Sequence, residues 1–136
     1  TGGQWPDDGE IDIMEQRGTS ALDKREVLGN LHTRAYNWSG GTLGVARGAT
    51  TSLPSACTDF NNYQMTWDAD GITIGVNGTN YFDFRNPKNG DRTQWPFDAP
   101  QFMILNLAMG GDLGGAVDDT ALPAVMEVEY VRVYQR

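Results

Sequence analysis

Residues 70–84, which read DGITIGVNGTNYFDF, decide the fold class of this chain. Isoleucine and valine alternate with small or polar residues over positions 72–76, and turn-forming dipeptides stand on both sides, at Asp70-Gly71 and Asn77-Gly78. Asn-Gly between two β-prone runs is typical of a tight hairpin turn. The sequence therefore predicts two antiparallel strands, over residues 72–76 and 80–84, joined at Asn77-Gly78.

Strand-like runs recur along the rest of the chain. They cover residues 10–15, 27–38, 63–67, 102–109 and 125–134, and long loops are expected over residues 40–59, 86–99 and 110–123. The run 102–109 is apolar throughout and is typical of a strand buried on both faces. The best helical stretch, 20–28, is long enough for only a turn or two. About seven short strands separated by turns predict an all-β antiparallel sandwich or jelly roll, as one domain or part-domain over residues 1–136.

The composition excludes several classes of protein. With 136 residues, 39% hydrophobic and 21% charged, the chain suits a single domain with a core. The net charge of −8 disfavours nucleic acid and anionic membranes as partners. No apolar run reaches the roughly 18 residues of a membrane-spanning helix. Cys57 is the single cysteine, which excludes an internal disulfide, and we expect it to be a small buried residue, as we also expect Trp67 to lie in the core.

Three carboxylates crowd the segment GEIDIME, residues 9–15. In a regular strand Glu10 and Asp12 share a face, and Glu15 points the other way. One extra residue near Met14, a β-bulge, would return Glu15 to the shared face. Two carboxyl groups about 5–5.5 Å apart are the arrangement of a retaining glycosidase, and their mutual repulsion favours one protonated acid. From spacing alone, a solvated acidic face and a calcium site are the alternatives.

The segment WPDDGEIDIME, residues 5–15, resembles the catalytic strand of glycoside hydrolase family 16 in its laminarinase-like branch. Further matches follow in the same order: HTRAYN at 32–37, YQMTW at 63–67, WPFDAPQFMILNLAMGG at 95–111 and MEVEYVRVYQ at 126–135. The resemblance covers nearly the whole chain. It implies a concanavalin A-like jelly roll with a glycan cleft on its concave face, of which this chain is the carboxyl-terminal half. It also implies retaining, endo-acting hydrolysis of β-1,3-glucan.

The same resemblance implies a role for individual residues. Glu10 would be the nucleophile, Glu15 the general acid/base and Asp12 the assisting carboxylate. An aromatic residue beside the cleavage point corresponds to Trp5, and a residue of the neighbouring cleft strand corresponds to His32. The substrate-binding residues expected on this basis are Trp5, His32, Arg34, Trp38 and Asn106.

The resemblance also bears on cofactors, partners and location. It implies no redox or organic cofactor, but many family members hold a structural calcium ion, for which Glu129 is the matching position here. The expected partner is a β-glucan polysaccharide. The half-length domain implies a companion amino-terminal fragment or a dimer partner, and the substrate implies a secreted protein, extracellular or periplasmic.

Two other functions are open at this point. One is a non-catalytic carbohydrate-binding sandwich, since half of a cleft binds glycan weakly and turns over nothing. The other is a different specificity within the same family, either agarase- or carrageenase-type or mixed-linkage glucanase. All three carboxylates are present, which favours catalysis over binding alone.

Overall fold

The computed structural model describes residues 4–18 and 23–135, and its regular structure is almost entirely β. The six strands are β1 (Glu10–Glu15), β2 (Glu26–His32), β3 (Arg47–Ser52), β4 (Tyr63–Asp68), β5 (Gly71–Val76) and β6 (Thr79–Arg85). The helical pieces in the described residues are one turn of α-helix, α1 (Gly111–Gly114), and two 3-10 turns at Asp23–Arg25 and Asp119–Ala121. None of the described helices is long and apolar enough to span a membrane.

The strands form two antiparallel three-stranded sheets, in the orders β1-β2-β3 and β4-β5-β6. The predicted hairpin is present, because Val76 pairs with Thr79 and the two residues between them make the turn. Asn77 and Gly78 both have positive φ, 51° and 81°, as a two-residue hairpin turn of this twist requires. The prediction of an all-β antiparallel fold is confirmed.

The core lies between the two sheets. Leu31 of β2 faces Ile74 of β5, and the two side chains are 1% and 0% exposed. The loop after β6 contributes two aromatic rings to this core. Trp95 stacks on Phe84 with ring centroids 6.0 Å apart, and Phe97 meets Trp95 edge-on at 5.3 Å. Buried and half-buried residues alternate along β2, so one face of the strand packs in the core and the other is partly open to solvent.

Two predicted strands are absent from the structure. Residues 102–109 and 125–134 are irregular instead, and most of their apolar side chains are exposed; Ile104, for example, is 68% exposed. A strand needs a neighbour to pair its backbone N–H and C=O groups. The two sheets of the described residues pair only strands that lie between residues 10 and 85. Apolar character therefore predicted burial correctly only where a partner strand is present.

Smaller corrections concern individual positions. β3 lies inside the predicted 40–59 loop, since its pairing with six consecutive residues of β2 decides its structure rather than its Gly- and Thr-rich composition. β2 ends at His32, earlier than predicted. Cys57 is exposed rather than buried. Trp67 stands near the end of β4 and is 36% exposed, so it is not a core residue.

Candidate active site on the bulged first strand

A β-bulge in β1 places the three carboxylates on one face. Asp12 pairs with Asn30 and Glu15 pairs with Leu28, so three steps along β1 match two steps along β2. Asn30 and Leu28 share a face of β2, and residues paired directly across an antiparallel ladder point the same way. Asp12 and Glu15 therefore point to the same face, which Glu10 shares. The bulge expected near Met14 is present between Asp12 and Glu15.

The opposite face of β1 anchors the strand in the core. Ile11 and Ile13 pack against the central cluster between the sheets. Gly9, just before Glu10, has φ of +78°, and a Cβ there would lie 2.6 Å from the ring of Phe97. A side chain at position 9 is thus excluded both by conformation and by space. These contacts fix the start of the strand from which the Glu10 carboxyl projects.

The indole N–H of Trp5 donates a hydrogen bond to Oε2 of Glu10 at 2.6 Å. Trp5 is 52% exposed, and its ring lies 6.0 Å from that of His32 with a tilt of 51°. The indole therefore orients the Glu10 carboxyl and leaves much of its own surface to solvent. An exposed aromatic surface beside a fixed carboxylate suits a sugar ring.

Asp12 forms an ion pair with His32, with Oδ2 and Nε2 separated by 3.0 Å. The two side chains are largely buried, 15% and 12% exposed respectively. The hydrogen bond that His32 donates to Asp12 raises the pKa of His32, burial lowers it, and the charges of Asp12, Glu10 and Glu15 raise it further. The imidazolium thus compensates part of the negative charge of the cluster.

Burial raises the pKa of Glu15 above its ordinary value, and the neighbouring charge of Asp12 raises it further. A hydrogen bond from the side-chain amide of Asn30 to Oε2 of Glu15 works against this, as does the charge of His32. The net effect is a carboxyl group that keeps its proton to higher pH than an exposed glutamate. That property is the one required of a general acid.

A shallow depression of about 330 Å³ adjoins Trp5. Arg34 lies in its wall and holds Asp7 through two hydrogen bonds, one of them from Nε to Oδ1 at 2.7 Å. Asn37 is buried, and its side-chain oxygen accepts hydrogen bonds from Ser39. The residue between them, Trp38, is 72% exposed and is not among the residues that line the depression. Three of the five predicted substrate-binding residues thus lie around or beside the carboxylate face: Trp5, His32 and Arg34.

The other two predicted positions lie elsewhere. Asn106 and Glu129 stand exposed in the irregular residues 101–135, outside the two sheets. The described part of the chain contains no group of three His, Cys, Asp or Glu residues arranged to hold a metal ion. Glu129 therefore belongs to no such group among the described residues, and the calcium ion that the resemblance implied stays a prediction.

Two contacts of the site were not foreseen from the sequence. Asn30 bonds Glu15, and Asp7 bonds Arg34. The contact of Asn30 could have been predicted from the sequence. Asn30 and His32 are two residues apart in β2, so their side chains lie on the same face of the strand. Asp7 is separated from Arg34 by 27 positions in sequence, and no spacing rule joins them.

Residues 1–132 match the family described as "Glycosyl hydrolases family 16". The chain belongs to glycosyl hydrolase family 16. This family-16 chain is 42% identical to a "Beta-glucanase" of Rhodothermus marinus over 137 residues, which cover 96% of the chain and 46% of that relative. It is 38% identical to a "Keratan-sulfate endo-1,4-beta-galactosidase" of Sphingobacterium multivorum, covering 98% of the chain and 30% of the relative.

Solved structures agree with the family assignment. The E144S mutant of SCLam, a non-specific endo-β-1,3(4)-glucanase crystallised with an oligosaccharide at its active site, superposes with a TM-score of 0.75 at 38% identity. The match covers 88% of this chain and 44% of that one. The family-16 chain therefore spans less than half the length of each of these three relatives.

Proposed function

We propose that this chain carries the catalytic centre of a retaining, endo-acting glycoside hydrolase that cleaves β-1,3-glucan. The observation that carries the proposal is the bulge in β1, which gathers Glu10, Asp12 and Glu15 on one face. The relatives support the substrate class, since they include a β-glucanase and an endo-β-1,3(4)-glucanase.

The chemistry needs two carboxyl groups in different protonation states. Glu10 attacks the anomeric carbon while Glu15 gives its proton to the departing glycosidic oxygen, and a glycosyl ester forms on Glu10. Glu15, now ionised, then takes a proton from water as that water attacks the same carbon and releases Glu10. Two inversions leave the anomeric configuration unchanged. Carboxyl side chains supply the nucleophile and both proton transfers, so the proposal includes no redox or organic cofactor.

The environment separates the two roles. Glu15 has a raised pKa because of burial and of the nearby Asp12 charge, so it starts as the acid. Glu10 is exposed and is oriented by the indole of Trp5. The ion pair with His32 holds Asp12 between them. Asp12 is therefore the assisting carboxylate, which raises the proton affinity of Glu15 without entering the covalent chemistry.

Charge favours a neutral glucan over a sulfated galactan. The depression beside Trp5 contains Arg34, but Asp7 already neutralises its guanidinium. The adjoining face carries three carboxylates, and the chain has a net charge of −8. A sulfated polymer would meet repulsion there, whereas neutral sugar rings stack on Trp5 and Trp38. The galactosidase among the relatives makes a galactan the competing substrate class.

Partner and location complete the proposal. Most apolar side chains of residues 102–109 and 125–134 are exposed, whereas a stable monomer rarely leaves a large apolar surface uncovered. We propose that strands equivalent to the unmatched amino-terminal part of the family-16 relatives pair with these residues.

We also propose that the protein acts outside the cytoplasm, because a glucan polymer is too large to reach an internal enzyme.

The test measures reducing ends released from laminarin by this chain mixed with the amino-terminal half of the Rhodothermus marinus β-glucanase. We expect hydrolysis by the mixture, and its loss in Glu10→Gln and in Glu15→Gln. Asp83→Asn is the control, since that carboxylate is exposed on β6 of the other sheet, outside the site, and it should keep wild-type activity. Undiminished release by either site variant would reject the assignment. Glucan retention in affinity electrophoresis without hydrolysis would show a binding protein instead.

A further inference from the structure

Glu15 receives a hydrogen bond from an uncharged donor within an otherwise acidic face. The side-chain amide of Asn30, on the neighbouring strand, donates from Nδ2 to Oε2 of Glu15. Asn30 is half-buried and is paired in register with Asp12 on one side and with Gly48 on the other. The amide therefore reaches diagonally across β1 to the residue that follows the bulge.

Gly48 makes room for this amide. A Cβ built at position 48 would lie 1.9 Å from Oδ1 of Asn30 and 2.8 Å from the carbonyl oxygen of Gly29. Gly48 is exposed and does not have a positive φ, so neither burial nor backbone conformation requires glycine there. Space requires it, because the side-chain carbonyl of Asn30 and the backbone carbonyl of Gly29 both stand where a Cβ would lie, Asn30 being much the closer. The amide is thus placed with its oxygen toward β3 and its nitrogen toward Glu15.

We propose that Asn30 is a positioning residue for Glu15, and that Gly48 keeps open the space which that side chain occupies. This inference rests on the proposed role of Glu15 as the general acid/base. Because Oε2 accepts the amide N–H, the proton of the neutral acid resides on Oε1. That oxygen is then the one that faces the glycosidic oxygen.

The same hydrogen bond serves both halves of the reaction. When Glu15 gives up its proton it becomes a carboxylate, and a donated N–H stabilises the ionised form. Without the amide, Glu15 is free to rotate and protonate on either oxygen, and its pKa rises. Loss of a hydrogen bond to a charged group corresponds to at least about a tenfold effect on rate.

Other groups around Glu15 set the background for this effect. Asp12 and Glu10 face it from β1 and raise its pKa, and His32 faces it from β2 and lowers it. On β3 the positions on the same face as Gly48 are Thr50 and Ser52, which are uncharged. Changes at Asn30 or Gly48 therefore leave the charges of this neighbourhood as they are.

The experiment follows the Glu15 carboxyl carbon by NMR titration in this chain, as wild type, Asn30→Leu and Gly48→Ala. Leucine has a similar volume and no donor, and we expect a higher Glu15 pKa in both variants. Thr50→Ala is the control on the same strand and face, and it should titrate like wild type. Because this readout needs no substrate, its failure is distinct from failure of the proposed function.

A kinetic arm uses the laminarin assay described above. We expect kcat to fall about tenfold in Asn30→Leu, with the alkaline limb of the pH profile displaced to higher pH. Gly48→Ala alone should also lower kcat and displace the alkaline limb to higher pH. Added to Asn30→Ala, the same Gly48→Ala substitution should change kcat and the pH profile much less. If Asn30→Leu folds poorly, the Glu15 titration and the pH profile of Gly48→Ala alone test the inference. An unchanged Glu15 titration and pH profile in a folded variant would overturn the inference.

Discussion

Two regions of this molecule differ in burial in the opposite order to their apolar content. Residues 10–99 form two sheets around a shared core, in which Ile74 is fully buried. Residues 101–135 hold a higher proportion of apolar side chains, yet Ile104 is 68% exposed and the segment has no strand. The difference lies in pairing, because each strand of the first region has a neighbour for its backbone groups.

This contrast explains where the candidate site is located. The carboxylate face needs only β1 and the strands beside it, and these are paired within the chain. The second region contacts the chain just before β1 through a hydrogen bond, which the side-chain amide of Gln101 donates to the backbone carbonyl of Asp8 at 3.1 Å. The site is therefore assembled mostly by the paired region, and the unpaired region is available to a companion.

The largest expected difference between the regions is in hydrogen exchange. Amides of β5 open only with the core, so their exchange should be slowed by about 10³-fold or more, as for a domain of ordinary stability. Amides of residues 102–109 should exchange close to the rate of an unstructured peptide. Mass spectrometry of peptic fragments measures both in one sample. Equal protection in the two regions would contradict the comparison.

A matched pair of substitutions gives the next largest effect. Ile74→Ala removes a fully buried side chain and should lower the free energy of unfolding by about 4 kcal/mol. Ile104→Ala removes an exposed one and should change it by less than about 0.5 kcal/mol. Urea denaturation followed by tryptophan fluorescence provides both values. A large cost at position 104 in the isolated chain would mean that the second region is packed.

Two glycines with similar backbone angles sharpen the comparison further. Gly9 and Gly111 have φ of +78° and +70°, but only at Gly9 would a Cβ strike a neighbour, the ring of Phe97. Gly9→Ala should therefore cost about 2–3 kcal/mol, from conformation and crowding together. Gly111→Ala should cost about 1 kcal/mol from conformation alone. Equal costs in thermal unfolding would show that Gly9 is not packed on the core.

The smallest effect is a difference in pH dependence. The raised pKa of His32 means that its pair with Asp12 stabilises the fold fully below about pH 6.5. That contribution is lost as pH rises through the folded pKa of His32, and His32→Gln should remove the slope. In the second region, hydrogen bonds from Thr120 lower the pKa of Asp118, so its contribution is lost at acid pH instead. Urea midpoints measured between pH 3 and 9 test both directions, with Asp118→Asn as the second variant. If the urea midpoint depends on pH in the variants as it does in the wild type, these assignments are contradicted.

Local rules predicted the elements whose partners are close in sequence. The β5–β6 hairpin followed from Asn77-Gly78, and the bulge followed from the odd spacing of Glu15. β3 was missed because its Gly- and Thr-rich sequence becomes a strand only through pairing with β2. The two predicted strands after residue 101 were wrong for the converse reason, since apolar sequence alone supplies no partner.

The site was predictable to the same extent. The three carboxylates, Trp5 and His32 follow from one motif and its neighbouring strand. Asn30 was overlooked although its parity placed it on the correct face. The contact between Asp7 and Arg34 depends on how the chain before β1 folds over the start of the loop after β2, which no local pattern encodes.

The most direct test of the central claim is the anomeric configuration of the first product. Proton NMR during hydrolysis of a laminari-oligosaccharide, by this chain mixed with the amino-terminal half of the Rhodothermus marinus β-glucanase, resolves the α and β reducing ends before they interconvert. If Glu10 forms an ester that Glu15 then helps water to break, the β-anomer appears first and the α-anomer grows in only by mutarotation. Initial appearance of the α-anomer, or no cleavage at all by the mixture, would contradict the account.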